Sequence, residues 1–215
     1  MFYLVYFTQC VHVTWRNSPP RRGDSDRNQS RAGAKVCRQG LVMSYIHSFA
    51  PVMGSGAHTL ILGSMPGKAS LRAQQYYAHP RNAFWRIMEA HFSVAYELPY
   101  HQRLKELNDC GIAVWDVLKM CTRESSLDSD IVSSSIVTND FIHLFEKHPS
   151  IDRVFFNGAK AEDTYLKHVH PQTKDLFPQI RLQRLPSTSP AHASLNLAGK
   201  IKAWACIVPL NRGRT

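Results

Sequence analysis

HTLILGSMPGKASLRAQQYYAHPRNAFWRIM, residues His58 to Met88, decides the fold. Thr59-Leu60-Ile61-Leu62 is a short, nearly unbroken apolar run, the pattern of a strand buried on both faces. It stops at Gly63-Ser64-Met65-Pro66-Gly67, a tight turn built from two glycines and a proline. A polar loop carrying Tyr76, Tyr77, His79, Arg81 and Asn82 follows, and then an amphipathic helix over 84–92 with Phe84, Ile87, Met88 and His91 at helical spacing. In an open α/β sheet, ligands sit beyond the carboxyl ends of the strands, so this loop lies where chemistry is expected. Aromatic faces, an imidazole, an amide and an arginine suit a flat polar ring and a phosphodiester better than hydride transfer or proteolysis.

Working outward, the same alternation repeats. The reading is a helix over 98–110 ended by Gly111, a strand over 112–115 closing on Asp116, and a long serine-rich loop over 122–135. Asn139 is expected to cap a helix containing Phe141, Ile142, Leu144 and Phe145. A third strand over 151–156 stops at Asn157-Gly158, and a third crossover helix over 159–168 is closed by Pro171. A fourth strand over 180–185 runs into Pro186-Ser187-Thr188-Ser189-Pro190-Ala191-His192, and the terminal helix spans 195–208. Strands alternating with helices predict an α/β fold, a three-layer α/β/α arrangement around a mostly parallel four-stranded sheet.

Composition bounds the partners. Of the +10 net charge, half sits in the first 42 residues, where 7 Lys and Arg face 2 Asp. The patterned region is therefore only mildly basic, and nucleic-acid binding cannot rest on net charge. Residues 1–42 are expected to lie outside the working domain at 43–215. Met1 to Trp15 is apolar with neither a partner pattern nor the layout of a signal peptide, and Arg16 to Gly40 is too polar to bury a core. A basic arm that grips DNA is the alternative. The five cysteines (Cys10, Cys37, Cys110, Cys121, Cys206) have no metal-site spacing and read as reduced, mostly buried thiols of a cytoplasmic protein. No run of 18 apolar residues exists, so no membrane span is expected.

Four motifs stand at successive strand ends: GSMPGKASL (63–71), QYYAHPRNAFW (75–85), VFFNG (154–158) and LPSTSPAHA (185–193). With these, the chain resembles the uracil-DNA glycosylase superfamily over roughly residues 45–208, and within it the hypoxanthine-DNA (deoxyinosine) glycosylase branch. The resemblance implies a uracil-DNA glycosylase-like domain that acts as a monomer on DNA. It flips a deaminated base, chiefly hypoxanthine, from the duplex and hydrolyses its N-glycosidic bond with neither metal nor cofactor. Excision of uracil or mismatched bases is one alternative, and a catalytically silent lesion-binding module is another.

The resemblance also distributes roles. Tyr77 matches the stacking aromatic, while packing on the core is its other reading. Asn157 matches the base-reading asparagine, since an amide serves both N1–H and O6 of hypoxanthine; an Asn-Gly turn would account for the same dipeptide. Ser64 and Met65 of the first turn fall against the base. Met65 stands where many relatives carry a polar residue that orients water, and it can neither accept a proton nor polarise water. In this branch the asparagine of HPRN takes that task, which makes Asn82 the catalytic residue by positioning; Asn82 is also placed to cap the helix at Phe84. Arg81, Ser187, Thr188, Ser189 and His192 are the expected DNA contacts, the serines and threonine through phosphate oxygens. Two alignments of the last motif leave His192 without a fixed role. Asp116, at a strand tip, either pairs with a base in the loop or caps the next turn.

Overall fold

The computed structural model describes residues 45–209. Its centre is a four-stranded sheet made of β2 (Thr59–Gly63), β3 (Ile112–Asp116), β6 (Arg153–Asn157) and β7 (Arg181–Leu185). The order is β3-β2-β6-β7 and every pair is parallel. The residues of β2 explain its central place: Thr59, Leu60, Ile61 and Leu62 are all fully buried. Leu60 and Leu62 face one core cluster and Ile61 the other, as a strand covered on both faces requires. The edge strand β7 is instead largely exposed and carries Arg181, Gln183 and Arg184, which blunts the open edge.

One layer packs α2 (Phe84–Phe92), α3 (Tyr100–Asp109) and α7 (Leu197–Trp204) on the sheet through Phe84, Trp85, Ile87, Met88, Leu107 and Trp204. The other packs α4 (Phe141–Lys147) and α5 (Ala159–His168) through Phe141, Leu144, Phe145 and Tyr165. The three-layer α/β/α reading therefore holds. The first strand of this sheet in the chain, β2, lies between the second and the third, so the strand order reverses beside it. Crevices of open α/β sheets form at such a reversal.

Several local expectations change. A short helix, α1 (Lys68–Ala73), follows the first turn in a stretch read as loop. A second sheet joins β1 (Ile46–His47), β4 (Leu118–Cys121) and β5 (Val137–Thr138) in the antiparallel order β1-β4-β5. Only Val117 separates β3 from β4, so the chain leaves the central sheet directly into the small one. The cap of α4 is Asp140, whose side chain accepts from the His143 N–H, whereas Asn139 donates to the Asp116 carbonyl oxygen at 2.8 Å. Pro171 does not end α5 by itself; it lies inside a further short helix, α6 (His170–Thr173). The terminal helix is shorter than read, because Asn196 caps it at Gly199 N–H and its last turn tightens to a 3-10 form over Ala205–Ile207. Of the thiols, Cys121 is buried, Cys110 partly so and Cys206 exposed, against an expectation of mostly buried cysteines. The expectation about residues 1–42, with Cys10 and Cys37, lies outside the described residues. Among the described residues no helix is long and apolar enough to cross a membrane.

Candidate active site

The carboxyl ends of β2, β3, β6 and the loop after β7 open into one cleft of about 490 Å³. That is within the usual size of small-molecule sites. The cleft receives Ser64 and Met65 from the first turn, Tyr77, His79 and Asn82 from the polar loop, and Asp116 from β3. Asn157 from β6 and Ser187 to His192 from the last motif complete it.

Gly63 is demanded by its neighbours. A Cβ there would stand 2.6 Å from Asp116 Oδ1, so only glycine lets the carboxyl lie against the end of β2. Gly158 is demanded twice, by a φ of +101° and by Ser187 Cβ, which would lie 2.9 Å from an added Cβ. The Asn-Gly pair is thus a turn formed for backbone reasons, and it also delivers Asn157 to the cleft.

The polar loop is held from below. Tyr76 N–H donates to the Tyr100 hydroxyl at 2.8 Å, and Trp85 Nε1 donates to the Tyr76 carbonyl at 3.1 Å. Tyr77 follows with φ +56°, a left-handed conformation that costs a non-glycine residue about 1–3 kcal/mol. Its ring stacks on Phe84, with centroids 3.9 Å apart and planes at 19°. One face is therefore occupied, and the half-buried residue also lines the cleft. Its hydroxyl lies beside Asn157 without making a hydrogen bond. Burial and the nearby Asp116 push the phenol well above its ordinary range.

His79 and Asn82 shape the rest of the loop. Arg81 N–H donates to His79 Nδ1 at 3.1 Å, and Asn82 N–H donates to the His79 carbonyl at 2.8 Å. Asn82 Oδ1 accepts from the Phe84 N–H at 2.9 Å while lining the cleft; this is a turn just ahead of α2 and not the expected N-cap, because the N-cap position is Ala83 and no side chain caps it. Its second lone pair and its Nδ2 remain for a ligand or a water.

Asn157 and Thr188 clasp each other. Thr188 N–H donates to Asn157 Oδ1 at 2.8 Å, and Asn157 Nδ2 donates to Thr188 Oγ1 at 2.9 Å. Because a backbone N–H can only donate, the amide orientation is fixed, with one N–H and one lone pair still unused. Thr188, expected at a phosphate, is 1% exposed and takes an internal role instead. Its carbonyl also accepts from the Ala83 N–H at 3.0 Å, tying the last motif to the start of α2. Ser187 and Ser189 form successive serine turns, accepting from Ser189 N–H and Ala191 N–H. Behind them Trp204 Nε1 donates to the Pro186 carbonyl at 2.9 Å, and the buried Lys200 donates to the Ser189 carbonyl at 3.2 Å. His192 contacts Ser194 and lies where the cleft meets a neighbouring groove. Arg81 lines that groove together with Arg86 and Lys200, outside the cleft itself.

The remaining wall comes from the serine-rich segment. Ser64 Oγ donates to Asp128 Oδ1 at 2.7 Å, and the buried Arg123 guanidinium lies 3.8 Å from the same oxygen and donates to the Pro66 carbonyl. Lys68 N–H adds a bond to Ser126 Oγ at 3.0 Å. Met65 is buried against Leu118, Cys121 and Ile131, so it borders the cleft mainly as core. Arg123 and Asp128 carry no sequence signal beyond opposite charge, since a polar serine-rich run reads as solvated loop.

Asp116 is 3% exposed, yet it neither pairs with a base nor caps a turn: its Oδ2 has no hydrogen-bond partner. Burial pushes its carboxyl up to about 7, with Asp128 raising it further and Tyr76 and Arg123 opposing. The sequence offered a signal here, a carboxylate at a strand's carboxyl end. Among the described residues no three His, Cys, Asp or Glu side chains gather to hold a metal ion.

Comparison with known proteins bears on this cleft. The family model of the uracil DNA glycosylase superfamily matches residues 51–207. A protein of Methanosarcina acetivorans named hypoxanthine DNA glycosylase is 41% identical over 114 residues, covering 53% of this chain and 71% of the relative. A protein of the same name from Methanosarcina barkeri is 39% identical over the same shares. The solution NMR structure of a Methanosarcina acetivorans protein, described as a candidate uracil DNA glycosylase, superposes with a TM-score of 0.62 at 33% identity. That match covers 77% of this chain and 99% of the other.

Proposed function

The chain belongs to the uracil DNA glycosylase superfamily, and on that premise we propose that it excises hypoxanthine from DNA by hydrolysing the N-glycosidic bond. The convergence of Tyr77, Asn82, Asn157 and the buried Asp116 on one cleft of about 490 Å³ carries this reading. The base enters the cleft flipped out of the duplex and stacks on Tyr77, a contact worth about 1–3 kcal/mol. The unused N–H and lone pair of Asn157 meet O6 and N1–H. Asn82, braced by the Phe84 N–H, accepts a hydrogen from the attacking water with its second lone pair and holds that water at the anomeric carbon. An amide does not abstract a proton here; it positions, and positioning is worth several kcal/mol.

Ser64 and Met65 bound the base from the first turn. Ser187 and Ser189 of the cleft, Arg81 of the groove beside it, and His192, which lines both, take the flanking phosphates and the gap left in the duplex. The protein works as a monomer, without cofactor, wherever the cell keeps its DNA. It cleaves the base and not the strand. Uracil is the second substrate class, supported by the description of the structural relative.

The test is direct. Duplexes carrying one hypoxanthine, uracil or xanthine are incubated with the protein and then treated with alkali. Alkali-dependent cleavage greatest at hypoxanthine is expected. Binding without cleavage would make the protein a lesion-binding module, and neither binding nor cleavage would remove DNA from its function.

A further inference from the structure

We propose that Asp116 is the general acid of the reaction, a buried carboxyl lining the cleft that hands its proton to the departing purine. The inference rests on the glycosylase reading and adds a catalytic residue to it. Hydrolysis of a purine nucleoside leaves electron density on the ring, and a proton delivered to ring nitrogen N7 lowers the barrier to departure. Asn82 and Asn157 are amides and deliver no proton. Tyr76 and Tyr77 are held un-ionised and far too weakly acidic, since burial and Asp116 push both phenols up. Asp128 is engaged by Ser64 at 2.7 Å and faces Arg123.

Asp116 differs from all of these. It lines the cleft at 3% exposure with Oδ2 unpartnered, a state that costs free energy and that folding alone does not require. Its Oδ1 lies against Gly63, and the Tyr77 hydroxyl lies beside the same glycine. The residues facing it are Tyr76 and Tyr77 from the polar loop, with Asp128 and Arg123 from the serine-rich wall. Burial dominates over the Arg123 charge, so the acid form persists to about pH 7. Asp116 ends β3 and Asn157 ends β6, on either side of β2. Two strand spacings separate their backbones by about 10 Å. A purine between them offers its N1–H and O6 edge to Asn157 and its N7 edge to Asp116.

The step balances. The C1′–N9 bond breaks and its electron pair passes into the purine. The Asp116 proton bonds N7, so the base leaves neutral. Water bonds C1′, and its surplus proton returns to the Asp116 carboxylate.

Single-turnover excision of hypoxanthine from a duplex, followed from pH 5.5 to 9.5, tests this. The wild-type rate should be level at low pH and fall about tenfold per pH unit above a midpoint near 7, the value set by Asp116. Asp116→Asn should be slower by about 100-fold or more at pH 6 and should lose that decline. Asp116→Asn with the wild-type rate would show that a hydrogen bond suffices and overturn the proposal. If this variant does not fold, the wild-type profile decides: a flat profile, or a decline only at the more alkaline pH where the base's own N1–H ionises, overturns it. A wild-type protein that releases no hypoxanthine at any pH removes the glycosylase reading itself, an outcome distinct from unimpaired Asp116→Asn.

Discussion

The Asn82 side chain accepts a hydrogen bond from the Phe84 N–H and also lines the cleft, so different variants separate its two tasks. Asn82→Ala should lose about 1 kcal/mol of stability with this hydrogen bond and at least ~100-fold in single-turnover rate. Asn82→Ser keeps a short oxygen for the helix start and loses the reach into the cleft. It should unfold in urea like the wild type yet be as slow as Asn82→Ala. A serine variant with wild-type rate would reduce Asn82 to a brace for the turn before α2. Asp116 makes the opposite kind of demand, on stability. Its carboxyl ionises near 3.9 in an unfolded chain and about 7 in the folded one. The folded state therefore holds this proton more tightly. The stability it contributes is complete below about pH 4 and is lost as pH rises to about 7, on the order of 4 kcal/mol. Asp116→Asn does not titrate, so it should be more stable than the wild type at pH 8 and lose that advantage at pH 4.5. Parallel urea midpoints for the two proteins across this range would contradict a buried, un-ionised carboxyl.

At the scale of elements, the loop after β7 works through its backbone and one threonine. Thr188 holds the Asn157 amide by two hydrogen bonds and the start of α2 by a third. Thr188→Val keeps the shape and removes the hydroxyl, whose Oγ1 accepts from Asn157 Nδ2. It should weaken binding of a hypoxanthine duplex about tenfold while slowing the bound complex much less, measured by saturation of single-turnover rates. An equal loss in both would place Thr188 in the chemistry. Elements were legible where burial writes a pattern. The four strands of the central sheet and helices α2, α3 and α5 come from apolar runs or helical spacing over five or more residues. The helix α1 has only Ser70 buried, and β1 and β5 are two residues each, so none of them leaves a period to read. The Asn139 and Asp140 exchange shows the same limit: both are good caps, and the fold uses Asn139 to brace the Asp116 carbonyl. Within the site, Tyr77, Asn82 and Asn157 were legible from their motifs. The Ser64–Asp128–Arg123 wall was not, because its partners lie about 60 residues apart in a run whose composition reads as solvated loop. The burial of Thr188 is illegible for a related reason: nothing in PSTSP distinguishes a hydroxyl facing phosphate from one turned inward.

For the whole molecule, much of the charge and the candidate site residues are separate along the sequence. Half of the +10 net charge belongs to residues 1–42, while the cleft and its adjoining groove draw on Arg81, Arg86 and Lys200. A chain beginning at Met43 should therefore keep its single-turnover rate on a hypoxanthine duplex. Its binding should still weaken steeply with salt, because phosphate contacts release counterions. A large loss of rate on this truncation would make the basic arm part of the working protein.

The most direct test of the account compares wild type and Asn82→Ser on a duplex with a single hypoxanthine, scored by alkali-dependent strand cleavage. Cleavage by the wild type at that site, with the serine variant folded, still bound to the duplex and at least ~100-fold slower, is the predicted result. A wild-type protein that leaves the base in place, or a serine variant that removes it at the same rate, would contradict it.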